Sequence, residues 1–470
     1  MKKNILLFFI LYATTILLKL YTSPIITQIY FLCLLLIFFF SKKDYFWFAL
    51  FFFLIESSNL IFLEGTWAEL PGYNIVPSLI LPSGVDRLIS FSELFIYIAF
   101  FKALVQRKVE ERSEILFSKP LKYLALYGIF LVFYGLILGV GQLKFLRSFR
   151  IAFPPLMLFF SISILFKSEK QYFRFFYLTF ASLISVVVVQ FFEILSGQKA
   201  AAFLGIGLSR GVERPLYSQN MIIISFIGAL FLLAYKKNLS ISRLFLWFVI
   251  FLGIISFVLS GSRGVFISTL VMLFLFVITI GIKKKQDVLL NLPIIFLLIL
   301  SIAVSVNPIW QYIQKGVTRT STLILLLEGD LSAGGTLGRF TVRAPRVWGK
   351  YIHRPILGFG FSKDFYQYRD IHVGYLSVLL NGGIIGTALF SYFWFYFLNK
   401  ISKLRKSISK RNPYYDPLLV LGVGLMGLLT IHFSSSSVFM YLLGFKGRAI
   451  MVTFFFAFSN FMMKRAKNIV

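Results

Sequence analysis

The residues best suited to chemistry are concentrated in one stretch between two apolar segments. Residues 338–372 contain His353 and His372, two of the three histidines of the chain. A neutral imidazole, with an unperturbed pKa of about 6.5, is the side chain best suited to take a proton from a hydroxyl near neutral pH. His353 precedes Arg354 and Pro355 and is expected to brace a turn. His372 stands immediately before an apolar run and is the candidate base.

Regularly spaced basic residues precede this histidine in the same stretch of sequence. Arg339, Arg343, Arg346 and Lys350 recur at helical intervals, which predicts an amphipathic helix with one cationic edge. Pro345 either kinks this helix or lies in its first turn, and in both cases Arg346 and Lys350 share a face. A planar guanidinium holds phosphate or carboxylate through paired hydrogen bonds, whereas lysine acts as a point charge. The pattern indicates a site for an anionic ligand.

Other basic and polar residues stand at further junctions between apolar runs. Arg263 belongs to the run from Ser260 to Gly264, whose small residues allow helices to approach closely. A simpler alternative is that such arginines only reach lipid headgroups from helix ends, which suits Arg87 and Arg448 best. Besides Arg343 and Arg346, the candidates for ligand binding are Arg147, Arg150, Arg210, Arg214 and Asn220.

The elements that position these residues are membrane helices. The 470 residues are 58% hydrophobic and only 14% charged, with a mean hydropathy of +0.84, which excludes an ordinary water-soluble protein. Apolar runs of about 17–25 residues are long enough to cross about 30 Å of hydrocarbon. We predict an all-α polytopic membrane protein of about fourteen transmembrane helices, forming a single integral membrane domain over residues 1–470.

The predicted spans are 4–21, 24–40, 45–63, 88–105, 121–141, 151–166, 175–195, 219–235, 244–260, 264–282, 288–306, 374–398, 417–433 and 448–463. Every second junction is rich in lysine, as at Lys42-Lys43 and at residues 283–285. The positive-inside rule places these junctions and both termini in the cytoplasm. With this topology 21 of 28 lysines face the cytoplasm and 13 of 20 arginines face outwards. The net charge of +30 therefore combines a lysine-rich inner side with an arginine-rich outer side.

Residues 307–373 form one long outer loop between the eleventh and twelfth predicted spans. We predict that it is helical, and that the glycines within residues 356–360 make a tight return. The acidic residues Glu328 and Asp330 lack a supporting ligand pattern and are interpreted as a solvated turn. Cys33 is the only cysteine, which excludes an intrachain disulfide. We expect no metal, no cofactor and no nucleic-acid partner.

The order of these motifs resembles the O-antigen ligase and polymerase (Wzy/WaaL) superfamily. The resemblance covers roughly residues 205–390: the motif from Ser260 to Gly264 is followed by one long outer loop reading GR…W…HRPILGFG…IHVGYLSVLLNGGIIG. It implies a metal-independent glycosyltransferase of the GT-C class in the bacterial inner membrane, with a periplasmic active site and an undecaprenyl-diphosphate-linked glycan as donor. It implies catalytic roles for His372, Arg339 and Arg263. Because negative charge develops on the departing diphosphate, we expect the other candidate arginines to help bind it: Arg147, Arg150, Arg210, Arg214, Arg343 and Arg346.

The resemblance leaves the acceptor open. A polymerase passes the glycan to another lipid-linked repeat unit, whereas a ligase passes it to the lipid A core. Fourteen spans are more than is usual among ligases, so we favour a polymerase, which implies a chain-length regulator as partner. A flippase for lipid-linked oligosaccharides is a weaker alternative, because the chain has no two-half repeat and only Lys19 is basic deep within a span. A scaffold protein would not explain the grouping of His372 with arginines.

Overall fold

The computed structural model describes residues 2–57, 91–107, 115–139, 153–198, 218–235, 241–260, 262–279, 338–370, 372–434 and 446–468, together with a few isolated positions. Helices dominate these residues, and no β-strand occurs among them. The all-α class predicted from the sequence is therefore confirmed for the part of the chain that the structure describes.

Ten helices precede the long loop in the described ranges: α1 (Lys2–Tyr21), α2 (Pro24–Phe40), α3 (Asp44–Glu56), α4 (Phe91–Gln106), α5 (Ser118–Ile137), α6 (Pro154–Leu165), α7 (Glu169–Ser196), α8 (Gln219–Ala234), α9 (Arg243–Ser260) and α10 (Arg263–Thr279). A π-helical turn over Gly338–Arg343 then leads into α11 (Ala344–Tyr351), α12 (Lys363–Tyr368), α13 (Gly374–Ser407), α14 (Tyr415–Ser434) and α15 (Lys446–Lys467). Helices therefore make up most of the described residues on both sides of the loop.

Each predicted span except 288–306 overlaps one of these helices, and that span lies outside the described residues apart from two positions. Five of the described helices, α5, α7, α9, α13 and α14, are long and apolar enough to cross a membrane. Shorter apolar helices lie within α2, α6, α8 and α10. The chain thus has several helices capable of spanning a membrane, while the count of fourteen stays a prediction.

Phenylalanine, with 58 residues in the chain, contributes many ring contacts to the packing between the helices. The rings of Phe175 in α7 and Phe454 in α15 stack with centroids 3.9 Å apart at the centre of the bundle. Such aromatic pairs contribute about 0.5–1.5 kcal/mol beyond the burial of their area. The peripheral helices α1 and α2 instead expose large apolar side chains, among them Leu6, Ile25 and Phe40. An apolar outer surface of this kind suits a lipid environment.

Polar contacts join helix ends that the predicted topology places on the same side of the membrane. Near the end of α4, Lys102 Nζ lies 2.6 Å from Asp44 Oδ1 at the start of α3. At the opposite end of α3, Glu56 Oε1 accepts a hydrogen bond of 2.8 Å from Asn220 Nδ2 at the start of α8. These contacts agree with the predicted alternation of helix direction. The assignment of either side to the cytoplasm stays a prediction.

One helix differs from its prediction. The apolar span predicted at 374–398 is part of the longer helix α13, which is interrupted at Gly383, where φ is +61° and ψ is −161°. The amide of Ile384, which loses its helical acceptor at this break, donates to the carbonyl oxygen of Pro355 at 2.9 Å. Hydropathy alone did not reveal the break, because the residues on both sides of it are apolar.

Candidate functional site

The break in α13 is filled by residues 353–361, called here the return segment. Gly358 and Gly360 adopt φ angles of +67° and +54°, so the tight return predicted from these glycines is confirmed. Gly360 N donates to the carbonyl oxygen of Asn381 at 2.8 Å, and Asn381 Nδ2 donates back to the carbonyl oxygen of Gly360 at 2.8 Å. Backbone groups left unpaired by the break are thereby satisfied.

Close backbone contacts hold the return segment from two sides. A Cβ atom on Gly383 would overlap the carbonyl oxygen of Ile356. On the other side, a Cβ atom on Gly135 of α5 would lie 2.6 Å from the backbone carbon of Phe361. Glycine is therefore required at both positions, since any side chain would push the return segment away from α13 or α5.

The described part of the long loop packs as a small layer on α5 and α13. Pro345 lies in the first turn of α11, directly after the π-helical turn. Because side chains from α11, α12, the return segment and both supporting helices share one core, α11 has a fixed position relative to α13. That core consists of Leu131, Val132, Val347, Tyr351, Phe359, Phe361, Phe365, Val373, Leu376 and Leu380.

Asp370, Arg343, Arg346 and His372 form a polar group at the start of α13, called here the Asp370 cluster. Arg343 Nη1 lies 3.5 Å from Asp370 Oδ1, and Arg346 Nη2 lies 3.8 Å from Asp370 Oδ2. The backbone amide of His372 donates to Asp370 Oδ1 at 2.8 Å. A single carboxylate thus brings three of the residues predicted from the sequence into one group.

The two arginines of this cluster are only partly neutralised. Their side chains are 44% and 51% exposed, whereas that of Asp370 is 11% exposed. Both ion-pair distances exceed the 2.7–3.2 Å of a normal N–H···O hydrogen bond. Residues 338–373 contain seven basic and two acidic residues, a net charge of +5. The cluster can therefore offer guanidinium donors to an anion that arrives from solvent.

Lys350 has a different partner from the arginines on the same helix. Its Nζ atom lies 2.8 Å from Asp364 Oδ2 and 5.0 and 5.2 Å from the ring centroids of Phe359 and Tyr368. Lys350 and Arg346 both face the segment that contains α12, which confirms that they share a face of α11. Lys350 connects α11 to α12, so its charge is used within the layer.

Arg339 and Arg263 are described through their backbones. Arg339 lies in the π-helical turn, four residues before Arg343. Arg263 is the first residue of α10 and follows the end of α9 at Ser260 after two residues. The predicted helix boundary within the motif from Ser260 to Gly264 is therefore confirmed. Arg263 is thus the first residue of a helix, and Arg339 is the second residue of a helical turn.

The packing of α10 on α14 shows at which end of the helix bundle Arg263 lies. Ser268 Oγ donates to the carbonyl oxygen of Gly427 at 2.7 Å. Because the two helices run antiparallel, this register places the backbone of Arg263 level with His432, the residue before Phe433. The ring of Phe433 lies 6.2 Å from that of Tyr375, in the first turn of α13. Arg263 and the Asp370 cluster therefore lie at the same end of the helix bundle.

Asn220 belongs to a different group. Its backbone amide donates to Glu56 Oε2 at 3.1 Å and its side chain donates to Glu56 Oε1 at 2.8 Å. Arg448 lies within electrostatic reach of the same carboxylate, and a Cβ atom on Gly447 would overlap it. The structure thus places Asn220 in a contact between α3, α8 and α15, and not with the Asp370 cluster.

The remaining candidates from the sequence, Arg147, Arg150, Arg210 and Arg214, lie outside the described residues, as does most of 307–337. Among the residues that are described, no group of three or more His, Cys, Asp or Glu side chains could hold a metal ion. Asp370 is a site residue that the sequence analysis missed. Its position two residues before the candidate base was the available signal.

An apolar cavity of about 220 Å³ adjoins the break in α13. It lies between α5, α6, α13 and α15 and shares Leu131 and Phe361 with the core of the loop layer. Aromatic side chains form a large part of its wall, including Tyr127, Trp394 and Phe456. The cavity can take up a hydrocarbon group close to the cationic loop.

A family model described as O-antigen ligase matches residues 248–391, a region that contains Arg263, Arg339, the return segment and His372. No curated protein matches the chain. The match supports membership of the Wzy/WaaL O-antigen ligase family.

Proposed function

We propose that this chain, a member of the Wzy/WaaL O-antigen ligase family, is a glycosyltransferase whose donor is a glycan linked to undecaprenyl diphosphate. The observation that carries the proposal is the family match over residues 248–391, which includes the arginine-rich loop and His372. The match itself supports a function of the O-antigen ligase or polymerase type. The donor, the acceptor and the residue roles are the proposal.

The chemistry fits the residues of the site. The acceptor hydroxyl attacks the anomeric carbon of the donor, and the bond from that carbon to the diphosphate oxygen breaks. His372 takes the hydroxyl proton, and Arg263 and Arg339, with the half-exposed Arg343 and Arg346, stabilise the charge on the departing lipid diphosphate. Fixed guanidinium groups can carry this stabilisation without a bound metal ion.

Two features support a lipid-linked donor. The partly neutralised arginines of the Asp370 cluster suit a diphosphate, which offers several oxygens to bidentate donors. The apolar cavity next to the break in α13 suits a polyprenyl chain. If the diphosphate binds at the Asp370 cluster and the lipid tail lies in or beside the cavity, the anomeric carbon lies close to the helix ends at this cluster.

A repeat-unit polymerase is the favoured form of this function, based on the predicted number of spans. A ligase that uses the lipid A core is the second candidate, and the description of the matching family as O-antigen ligase favours it. On either reading the protein resides in the bacterial inner membrane with its site on the periplasmic side, and a polymerase would act with a chain-length regulator.

Purified protein incubated with a lipid-linked repeat unit tests the proposal. For a polymerase, chains lengthen without any lipid A core, whereas for a ligase, transfer occurs only when the core is added. His372→Ala and Arg339→Ala are expected to lower turnover at least about 100-fold, by removing the base and a stabilising charge. Unchanged turnover in folded variants that bind donor would contradict the assigned roles, and no transfer to either acceptor would contradict the function.

A further inference from the structure

Arg369, between α12 and the Asp370 cluster, differs from the other basic residues of the loop. Its guanidinium lies over two aromatic rings, 4.7 Å from the centroid of Tyr366 and 5.7 Å from that of Phe365. Phe365 is buried in the core of the loop layer. The side chain of Arg369 is thus held against an aromatic surface, three residues before the candidate base in the chain.

Both acidic residues of this loop region already pair with other basic residues. Between residues 338 and 373 the acids are Asp364 and Asp370. Asp364 pairs with Lys350 at 2.8 Å, and Asp370 is shared by Arg343 and Arg346. Within the described part of the chain, no hydrogen bond or ion pair involves the side chain of Arg369. Its charge is therefore not balanced by a carboxylate of the described layer.

The guanidinium is also partly removed from water. Its Nη1 atom is buried and has no hydrogen-bond partner among the described residues. Burial lowers the pKa of the Arg369 guanidinium, and the Tyr366 hydroxyl opposes this shift. An arginine nevertheless stays charged near neutral pH, because its usual pKa exceeds about 12. A charged donor without a partner is costly to bury, unless an anion supplies the missing hydrogen bonds on binding.

We propose that Arg369 binds a phosphate of the lipid diphosphate donor, as a residue additional to the predicted arginines. The inference rests on the proposed function, because it assigns Arg369 to the same donor. The ring contacts fix the plane of the guanidinium, so that little side-chain entropy is lost when the phosphate binds. Asp370, the next residue in the chain, holds Arg343 and Arg346, so the three guanidinium groups are connected through one short segment.

The test compares binding of geranylgeranyl diphosphate with binding of geranylgeraniol to the full chain in detergent. Arg369→Ala is expected to weaken binding of the diphosphate at least about tenfold, and Arg369→Lys, which keeps the charge without the planar fork, should fall between the two. Binding of geranylgeraniol, which has no phosphate, should not change. Lys363→Ala, which removes the same charge from an exposed position of α12, is the matched control and should bind the diphosphate like the native chain.

The outcomes separate binding from folding and from catalysis. Equal affinity for the diphosphate in the native chain and in Arg369→Ala would overturn the inference, as would a native chain that does not bind the diphosphate. An equal loss of binding to both probes would show a structural role and would also overturn it. A diphosphate site that depends on Arg369, in a protein that transfers no glycan, would leave the inference standing and contradict the proposed function alone.

Discussion

Two groups of charged residues at opposite ends of the bundle use their charges in different ways. Near the end of α4, Lys102 Nζ donates to the carbonyl oxygens of Phe38 and Ser41 at 2.7 and 2.6 Å and to Asp44 Oδ1 at 2.6 Å. The Lys102 and Asp44 side chains are 1% and 5% exposed. In the Asp370 cluster, one carboxylate is shared at 3.5 and 3.8 Å by two arginines that are about half exposed.

The difference separates a structural use of charge from a binding use. All three protons of the Lys102 ammonium have acceptors, and two of these are the carbonyl oxygens of Phe38 and Ser41 at the C-terminal end of α2. No donor of the Lys102 ammonium remains to bind a ligand. In the Asp370 cluster, the guanidinium groups have more donors than the single carboxylate can accept. Saturated, buried charge holds helices together, whereas unsaturated, exposed charge can bind an anion.

The largest effect is expected from breaking the saturated group. Lys102→Met leaves the buried Asp44 carboxylate without its charged partner and removes a hydrogen bond from the carbonyl oxygens of Phe38 and Ser41, so the free energy of unfolding should fall by about 3–5 kcal/mol. Thermal unfolding in detergent measures this loss. Lys122→Met, which replaces an exposed lysine of α5, is the matched control and should have little effect.

The double variant Lys102→Met, Asp44→Asn sharpens this prediction. Removing the buried charge together with its partner should recover a large part of the lost stability, because the cost arises mainly from an unpaired carboxylate. If the single variant unfolds at the native temperature, the claim that this group is structural is wrong.

A smaller effect is expected from displacing the segment that supports the Asp370 cluster. Gly383→Ala places a Cβ atom against the carbonyl oxygen of Ile356 at a backbone φ of +61°, so stability should fall by about 2 kcal/mol or more. Activity should fall as well, because the return segment positions the loop layer. Thermal unfolding and glycan transfer are measured on the same preparation.

Gly349→Ala is the matched control for this change. Gly349 lies in α11 of the same loop, and no atom lies within 4 Å of the position that its Cβ would take. An alanine in the helix should stabilise the protein by about 0.5–1 kcal/mol. Equal destabilisation by both substitutions would contradict the proposed importance of the break.

The smallest effect on stability is expected in the unsaturated group itself. Asp370→Asn keeps an acceptor for the His372 amide but removes the charge that holds Arg343 and Arg346, and pairs this exposed contribute no more than about 1 kcal/mol. Turnover should nevertheless fall by about 10- to 100-fold, because the arginines lose their positions relative to the donor.

Steady-state kinetics with a lipid-linked glycan, together with thermal unfolding, checks the prediction. Asp364→Asn removes a carboxylate that pairs with Lys350, outside the cluster, and serves as the control. A large loss of stability in Asp370→Asn with unchanged turnover would reverse the distinction between the two groups.

Much of the fold could be predicted from the sequence because its signals are local. Long apolar runs indicate helices, and thirteen of the predicted spans overlap described helices. Pro345 and the glycines of the return segment were placed correctly, since proline at a helix start and glycine at positive φ are requirements of the backbone itself. The shared face of Arg346 and Lys350 follows from helical periodicity in the same way.

The partners of the site residues could not be predicted, because they depend on which distant segments meet. Asn220 was expected to face a ligand, yet its partner is Glu56, 164 positions earlier in the chain. From the sequence, Arg369 was one of the arginines assigned to the outer side, and it was given no role. It differs from the others because it lies over the ring of Tyr366 and because the nearby carboxylates pair with other basic residues.

The sequence by itself determined a helical membrane protein, with arginines and a histidine gathered in one loop that is predicted to lie on the outer side, because hydropathy and helical spacing are properties of neighbouring residues. Tertiary structure alone decided the break in α13 at Gly383, the insertion of the return segment and the saturation of each charge. These features arise where separate segments exchange hydrogen bonds. Whether a charged side chain is fully paired within the fold or can still bind a ligand therefore depends on the tertiary packing.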